Sequence, residues 1–139
     1  MSRRKARPED VGEIALALPG VELGTAWGDK PAYLVGGRSF VLYRGLQKDA
    51  VDEHGDLLEG VIVITVPGPE EKQALLASGP PWFTTDHFAR TNAVLVQESR
   101  LGETTRDELA EIITDAWLAR APKRVATAFV QARESTTAP

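Results

Sequence analysis

The sequence predicts an α+β fold, in which an antiparallel sheet of about five strands carries the N- and C-terminal helices on one face. Three observations predict it. Apolar residues recur at helical spacing near both ends of the chain, and strand-like segments lie between these ends. Gly36-Gly37 separates two of the strand-like segments by the two residues that a tight hairpin turn needs. Strands joined by such short turns are antiparallel neighbours.

The first helix is predicted to begin at Pro8, because proline suits the first helical position. Leu18 ends it, since Pro19-Gly20 cannot continue the helix. Its buried side has i, i+3, i+4, i+7 spacing and consists of Val11, Ile14, Ala15 and Leu18. A short extended stretch around Trp27 follows. The hairpin then pairs Ala32–Val35 with Arg38–Arg44.

The second half of the chain alternates in the same way. A run rich in β-branched residues, Val61–Val66, is typical of a central strand. A short helix over Glu70–Ala77 follows, and Trp82–Phe88 and Ala93–Gln97 are two extended segments that form a further hairpin. The C-terminal helix begins at a capping box, Thr105 with Glu108, and ends before Pro122. A last helical segment covers Pro122–Arg133.

Both faces of the predicted sheet are apolar. Along the central strand, Val61 and Val63 share one face, and Ile62 and Ile64 share the other. Phe40 and Leu42 are expected to oppose Val41 and Tyr43 in the same way. A sheet with helices on one side and water on the other alternates apolar with polar residues. We therefore expect a loop, a partner subunit or a ligand to cover part of the second face.

The chain has 139 residues, which suits a single domain over residues 1–139, with a core over 8–130 and flexible tails at 1–7 and 134–139. It contains no cysteine, which excludes disulfides, thiol catalysis and cysteine-bound metal. No apolar run follows the basic N-terminus, and no segment reaches the length of a membrane span. We expect a cytoplasmic protein with no membrane partner.

The formal net charge is −4. Proteins that hold phosphates usually carry a basic excess or a segregated basic face. This chain lacks the excess, so a phosphate-binding role depends on segregation. Basic residues cluster at the N-terminus and around Arg120, Lys123 and Arg124, whereas Asp49–Glu59 contains neither lysine nor arginine.

Four stretches carry a family resemblance: residues 18–40 (LPGVELGTAWGDKPAYLVGGRSF), 83–88 (FTTDHF), 93–96 (AVLV) and 115–124 (DAWLARAPKR). Together they resemble the MmcQ/YjbR family, a group of small bacterial proteins. The resemblance implies a frataxin-like (CyaY-like) fold. It also implies a double-wing, DNA-binding module, in which hairpins and an open sheet face approach the duplex. DNA is the partner that this resemblance implies.

The candidate nucleic-acid contacts are the basic residues near strand and helix ends: Lys30, Arg38, Arg44, Lys48, Lys123 and Arg124. Cations at such positions can reach phosphates. Lys123 and Arg124 match a Pro-Lys-Arg signature of the family. The alternative interpretation is that all of these residues are ordinary solvated charges, and that Lys123 and Arg124 neutralise the carbonyl groups at the end of the preceding helix.

Aromatic residues support an alternative function. If Trp27, Tyr33 and Tyr43 lie together on the second sheet face, they form an aromatic floor for a small molecule, a base or a second copy of the chain in a homodimer. His87 belongs to the family's Phe-x-Thr-x-His-Phe stretch and is a candidate for the same groove. A structural histidine bonded to backbone is the alternative interpretation of His87.

The sequence offers no catalytic residue, no metal site and no cofactor motif. It has no Gly-x-Ser-x-Gly elbow, phosphate-binding glycine loop or dinucleotide fingerprint. The acidic segment Asp49–Glu59 does not match a calcium loop, because aligning Gly55 with the required glycine places Ala50 at the first ligand position. A solvated turn is the preferred interpretation. We expect a non-enzymatic protein.

Overall fold

The computed structural model describes residues 4–45 and 50–137. Lys48 and Asp49 lie outside the described residues. The helices and strands follow the order α1 (Pro8–Leu16), β1 (Val21–Ala26), β2 (Lys30–Val35), β3 (Arg38–Tyr43), β4 (Val61–Thr65), α2 (Pro69–Ala77), β5 (Ala93–Gln97), α3 (Arg106–Arg120) and α4 (Lys123–Thr137). Two 3-10 turns lie at Asp86–Phe88 and Glu98–Glu103.

The five strands form one antiparallel sheet in the order β1-β2-β3-β4-β5. This confirms the predicted α+β fold with its five-stranded sheet and terminal helices. One strand was missed and one predicted strand was wrong. Residues 21–26, expected only as a short extended stretch near Trp27, form the full edge strand β1. The segment 82–88 is not a strand, because only Phe83 pairs with Leu95 before the chain turns into the 3-10 turn.

The main core lies between the sheet and the helices. Trp117 of α3 is fully buried there, its indole nitrogen donates a hydrogen bond to the Pro19 carbonyl at 3.0 Å, and its ring lies 4.8 Å from that of Phe129 in α4. Trp117 therefore connects α3 with α4 and with the turn that follows α1. We call this side of the sheet the helix face.

The opposite side, which we call the second face, is also apolar, as predicted. Val61, Val63 and Leu95 belong to its cluster, and Ile62 and Ile64 belong to the core of the helix face. Residues 82–91 cross this second face and place Phe83 and Phe88 on it. A loop of the protein itself therefore covers part of the second face, which is one of the three expected kinds of cover.

The expected alternation fails in β3. The pairing partner of β2 jumps from Val41 opposite Tyr33 to Ser39 opposite Leu34, so β3 contains a bulge at Phe40. As a result Phe40 and Val41 both pack on the helix face, and Leu42 alone points to the second face cluster. The prediction that Phe40 shares a face with Leu42 was wrong for this reason.

The residues just before α1 are held against α3, although the sequence assigns them to a flexible tail. The Ala6 amide donates to the Thr104 carbonyl, and the Arg106 amide donates to the Arg4 carbonyl, each at 3.0 Å. Asp10 is the buried centre of this contact. Its carboxylate accepts hydrogen bonds from the Arg4 guanidinium at 2.6 and 2.9 Å and from the Arg7 amide at 2.8 Å.

We predict that Asp10→Asn lowers the free energy of unfolding by about 2 kcal/mol near neutral pH. The Arg4 hydrogen bond lowers the pKa of Asp10 from its ordinary value of 3.8. A lowered carboxyl pKa stabilises the folded state above the ordinary pKa, and this contribution is lost as the pH falls through the lowered value. Urea unfolding should therefore show a difference between wild type and Asp10→Asn that shrinks below about pH 4.

Glu13→Gln is the matched control for that prediction, because Glu13 lies on the same helix with a side chain 63% exposed. Its effect should stay within about 0.5 kcal/mol. Equal effects of the two substitutions, or a difference for Asp10→Asn that does not change with pH, would contradict the assignment.

Candidate functional site

A cleft of about 400 Å³ opens on the second face and extends to the last turn of α3, which packs on the helix face. Its floor consists of strand residues, among them Leu42, Val63 and Ala93. Trp27 and Phe88 form one end, with their rings stacked at a centroid distance of 5.7 Å and an interplanar angle of 12°. Phe88 is buried, whereas Trp27 is 53% exposed. A large apolar ring therefore borders the cleft and also faces solvent.

A buried cation fixes the loop that carries Phe88. Lys72 of α2 is 4% exposed, and its ammonium donates hydrogen bonds to the carbonyl groups of Phe88 at 2.6 Å, Ala89 at 3.3 Å and Thr91 at 2.7 Å. Burial lowers the pKa of Lys72. These carbonyl groups lie at the end of the 3-10 turn and just after it; the Phe88 carbonyl also accepts hydrogen bonds from the Thr91 amide at 3.0 Å and the Thr91 hydroxyl at 2.9 Å. Lys72 therefore has a structural role in shaping one wall of the cleft.

The other end of the cleft is polar. Its polar lining side chains there are Ser39, Thr65, Asn92 and Arg120, whereas the lining residue Thr91 lies beside Phe88 and donates its hydroxyl to the Phe88 carbonyl at 2.9 Å. Arg120 comes from the last turn of α3 and is half-buried. Its Nε atom is buried and has no hydrogen-bond partner among the described residues. Among the described lining residues, Arg120 is the only charged one, so the cleft favours neutral or anionic groups.

The predicted aromatic floor does not form. Tyr33 and Tyr43 pack on the helix face, with ring centroids 5.9 Å apart, whereas Trp27 stacks with Phe88 on the second face. The Tyr33 hydroxyl lies so close to Gly12 that a Cβ atom there would be 2.6 Å from it. Burial, together with a hydrogen bond to Tyr33, raises the pKa of Tyr43. These two tyrosines therefore belong to the core on the helix face.

The predicted basic residues lie at two opposite ends of the sheet. The register places Val35 beside Arg38 at the end with the β2–β3 turn, and Ala26 beside Lys30 at the other end. Lys30 is half-buried against Gly45. Arg44, expected as an exposed contact, is 5% exposed, with its guanidinium carbon 5.6 Å from the Phe88 ring centroid. Burial removes Arg44 from the surface that a duplex can touch.

The remaining three candidates flank one contact between the β2–β3 turn and Pro122, Arg38 on one side and Lys123 and Arg124 on the other. Gly36 and Gly37 adopt φ values of +57° and +79°, as a tight hairpin turn requires. A Cβ atom on Gly36 would lie 3.0 Å from Pro122, so this turn sits against the junction of α3 and α4. We call the exposed residues Arg38, Lys123 and Arg124 around this contact the hairpin-end basic surface.

His87 is exposed on the 3-10 turn beside the cleft. Its ring meets Trp27 edge-on at a centroid distance of 6.4 Å and Phe88 at 5.0 Å. The structure thus brings His87 and Trp27 together, as the groove hypothesis requires of these two residues. His87 is not among the side chains that line the cleft itself.

The described part of the acidic segment forms a local turn. The Asp52 carboxylate accepts hydrogen bonds from the backbone amides of His54 at 2.8 Å and Asp56 at 3.0 Å. Within residues 4–45 and 50–137, no group of three or more His, Asp or Glu side chains is arranged to hold a metal ion. In the same residues, no helix is long and apolar enough to cross a membrane.

Neither Lys72 nor Arg120 was predicted from the sequence as a site residue. Lys72 lies three and four residues before Leu75 and Leu76, which predicts the same inward face for all three side chains. This helical spacing was the sequence signal that Lys72 faces inward. The position of Arg120 depends on contact between the hairpin and the α3–α4 junction, which are far apart in the sequence, and no local pattern indicates it.

Comparison with known proteins places these features in a family. The sequence model of the YjbR family matches residues 16–119, which include all five strands and nearly all of α3. Two relatives from Mycobacterium tuberculosis and one from Mycobacterium bovis, each named as an uncharacterised protein, are 42% identical over 71 residues. The matched region covers 50% of this chain and 53% of each relative, so the chain spans about half the length of the curated relatives it matches. No solved structure matches the chain significantly. Because the family model covers most of the chain, the protein belongs to the YjbR family.

Proposed function

We propose that the protein is a non-enzymatic module that binds double-stranded DNA through the hairpin-end basic surface. The observation that carries the proposal is the contact between the Gly36-Gly37 turn and Pro122. It supports the proposal because Arg38 directly follows this turn and Lys123 and Arg124 directly follow Pro122, although about 85 residues separate Arg38 from Lys123 in the chain. Three exposed cations on one surface supply the segregation that an acidic protein needs to bind phosphates.

The start of α4 strengthens the positive potential at this surface. Lys123 and Arg124 occupy its first turn, which contains no acidic residue. The N-terminus of a helix carries a partial positive charge and free backbone amides. Cations at this position oppose the helix dipole, so they contribute little to helix stability. An approaching phosphate would gain from both the cations and the amides.

Gly36 and Gly37 would also allow the turn to approach the DNA backbone closely. The turn they form is exposed and carries no side chains, and Arg38 follows it directly. A double-wing protein would use such a hairpin to reach along the duplex. Lys30 lies at the other end of the sheet and Arg44 is buried, so the proposed interface consists of Arg38, Lys123 and Arg124.

The test is fluorescence anisotropy with a labelled duplex over a range of salt concentrations. We expect the wild type to bind at low salt with a Kd tighter than about 10⁻⁶ M, which exceeds ordinary non-specific attraction. The triple variant R38Q/K123Q/R124Q should weaken binding about 100-fold and reduce the slope of log K against log salt by about 3, because each lost phosphate contact removes close to one unit.

The matched control is K5Q/K30Q/R100Q, which removes the same amount of charge. Lys30 and Arg100 lie near the sheet end opposite the hairpin, and Lys5 pairs with Thr105 at the start of α3. The control should lower affinity less than about threefold. Similar losses in both triple variants would mean that only net charge matters and would refute the assigned interface.

A second candidate function is the binding of a small molecule in the cleft on the second face. The specific observation that favours it is the cleft of about 400 Å³ itself, with an apolar ring at one end and Arg120 at the other. Cavities of roughly this volume hold small ligands in many proteins. A second copy of the chain is the alternative occupant, and sedimentation analysis of the free protein distinguishes it by mass.

A further inference from the structure

We propose that the cleft on the second face binds a planar aromatic molecule that carries one anionic group. This inference rests on the second candidate function and names its ligand class. The aromatic part of the ligand would lie against Trp27 and Phe88, and the anionic group would meet Arg120. DNA binding at the hairpin-end basic surface is not required for it.

The aromatic end of the cleft is built to accept a flat ring. Phe88 is held from below by the Lys72 hydrogen bonds to its loop and by the Arg44 guanidinium, 5.6 Å from its ring centroid. Trp27 stacks on Phe88 and leaves half of its own surface exposed. An exposed indole of this kind gains apolar burial when a planar ligand covers it.

The backbone of Trp27 is unusual. Its φ is +54°, in the left-handed region that residues with a side chain rarely adopt. The following residue, Gly28, also has a positive φ. Of these two consecutive left-handed positions, glycine occupies one and tryptophan the other. Strained positions of this kind concentrate at binding sites, where the placement of one side chain matters.

The opposite end of the cleft selects for an anion. Arg120 is the only charged residue among the described lining, and its buried Nε atom lacks a hydrogen-bond partner among the described residues. Nε itself is closed to solvent, so an anionic group in the cleft would pair with the charge of the guanidinium as a whole. The Ser39 hydroxyl and the Asn92 amide can donate further hydrogen bonds to that group, whereas the Thr91 hydroxyl already donates to the Phe88 carbonyl at 2.9 Å.

Two dyes with the same ring systems test the inference. 8-Anilinonaphthalene-1-sulfonate carries an anionic group, and N-phenyl-1-naphthylamine has the same rings without it. Titration of each dye, followed by its fluorescence, should show tighter binding of the sulfonate by wild type. Arg120→Gln should weaken sulfonate binding about tenfold and leave the neutral dye within about twofold. Trp27→Ala should weaken both dyes by a similar factor, because both lose the aromatic contact.

R38Q/K123Q/R124Q is the matched control for charge, since it removes three nearby cations that do not line the cleft. It should leave sulfonate binding within about twofold, although it abolishes the proposed duplex interface. If neither dye binds, or if both bind and Trp27→Ala weakens neither, the cleft is not a ligand site. If both dyes bind and depend on Trp27 but Arg120→Gln affects them equally, the cleft binds ligands and the anionic class is wrong.

Discussion

Trp117→Ala is expected to lower the free energy of unfolding by about 4 kcal/mol, the largest effect of any single substitution considered for this protein. Trp117 is fully buried, and truncation would leave a large cavity between α3, α4 and the α1–β1 turn. It would also leave the Pro19 carbonyl without its donor at 3.0 Å. Small domains are stable by only about 5 to 15 kcal/mol, so this loss is a large part of the total.

The same substitution should loosen the hairpin-end basic surface. Phe129 packs against Trp117 at a centroid distance of 4.8 Å and fixes α4, whose first turn carries Lys123 and Arg124. Hydrogen exchange of the α4 amides should therefore accelerate in Trp117→Ala more than that of the β4 amides.

Trp117→Phe separates the contribution of apolar packing from that of the hydrogen bond to the Pro19 carbonyl. It retains most of the apolar volume but loses the hydrogen bond, so we expect a loss of about 1 to 2 kcal/mol in urea unfolding. An effect of Trp117→Ala below about 1.5 kcal/mol would contradict the central packing role of Trp117.

Lys72→Met is expected to lower the free energy of unfolding by about 2 kcal/mol, although it replaces a charged side chain with an apolar one of similar length. The methionine would fill the space of the lysine stem but would remove the hydrogen bonds from the Lys72 ammonium to the carbonyl groups of Phe88 and Thr91, and the Phe88 carbonyl would keep only those from Thr91. Because the Thr91 carbonyl is only partly buried, water would offset some of the loss there.

Hydrogen exchange of the loop distinguishes the anchoring role of Lys72 from a general effect on stability. The amide of Thr91 donates to Phe88 at 3.0 Å within the loop that Lys72 holds. Hydrogen exchange of residues 86–91 should accelerate at least tenfold in Lys72→Met, while exchange in α3 follows the global change in stability. Gln73→Met, at the neighbouring exposed position, should change neither quantity. A Lys72→Met protein as stable as wild type, with an unchanged loop, would refute the anchoring role.

The sequence predicted those parts of the fold that depend on local patterns. The Gly36-Gly37 turn, the run Val61–Val66 and the capped helix that begins after Thr105 all have short-range signals, and the structure confirms them. The segment 82–88 resembles a strand in composition. Its structure is decided by the second face that it covers and by the Lys72 anchor, which are tertiary contacts.

For the candidate site too, features that follow from local patterns could be predicted and features that depend on tertiary contacts could not. That both sheet faces are apolar follows from the alternation of residue types, so the sequence indicated a covered second face. The placement of Tyr33 and Tyr43 could not be predicted in the same way, because the bulge at Phe40 shifts the register within β3. The separation of Lys30 from Arg38 follows from hairpin geometry. The approach of Arg38 to Lys123 depends on how α3 and α4 pack against the sheet end.

The most direct test of the central claim is to follow the backbone amide resonances of ¹⁵N-labelled protein while an unlabelled DNA duplex is added. We predict that the largest shifts occur at Gly36, Gly37 and Arg38 and at Lys123 and Arg124, with little change at the Trp27 indole. The same titration of R38Q/K123Q/R124Q should give much smaller shifts at the same duplex concentration. Shifts centred on Trp27 and Lys30, or no shifts in the wild type at low salt, would contradict DNA binding at the hairpin-end basic surface.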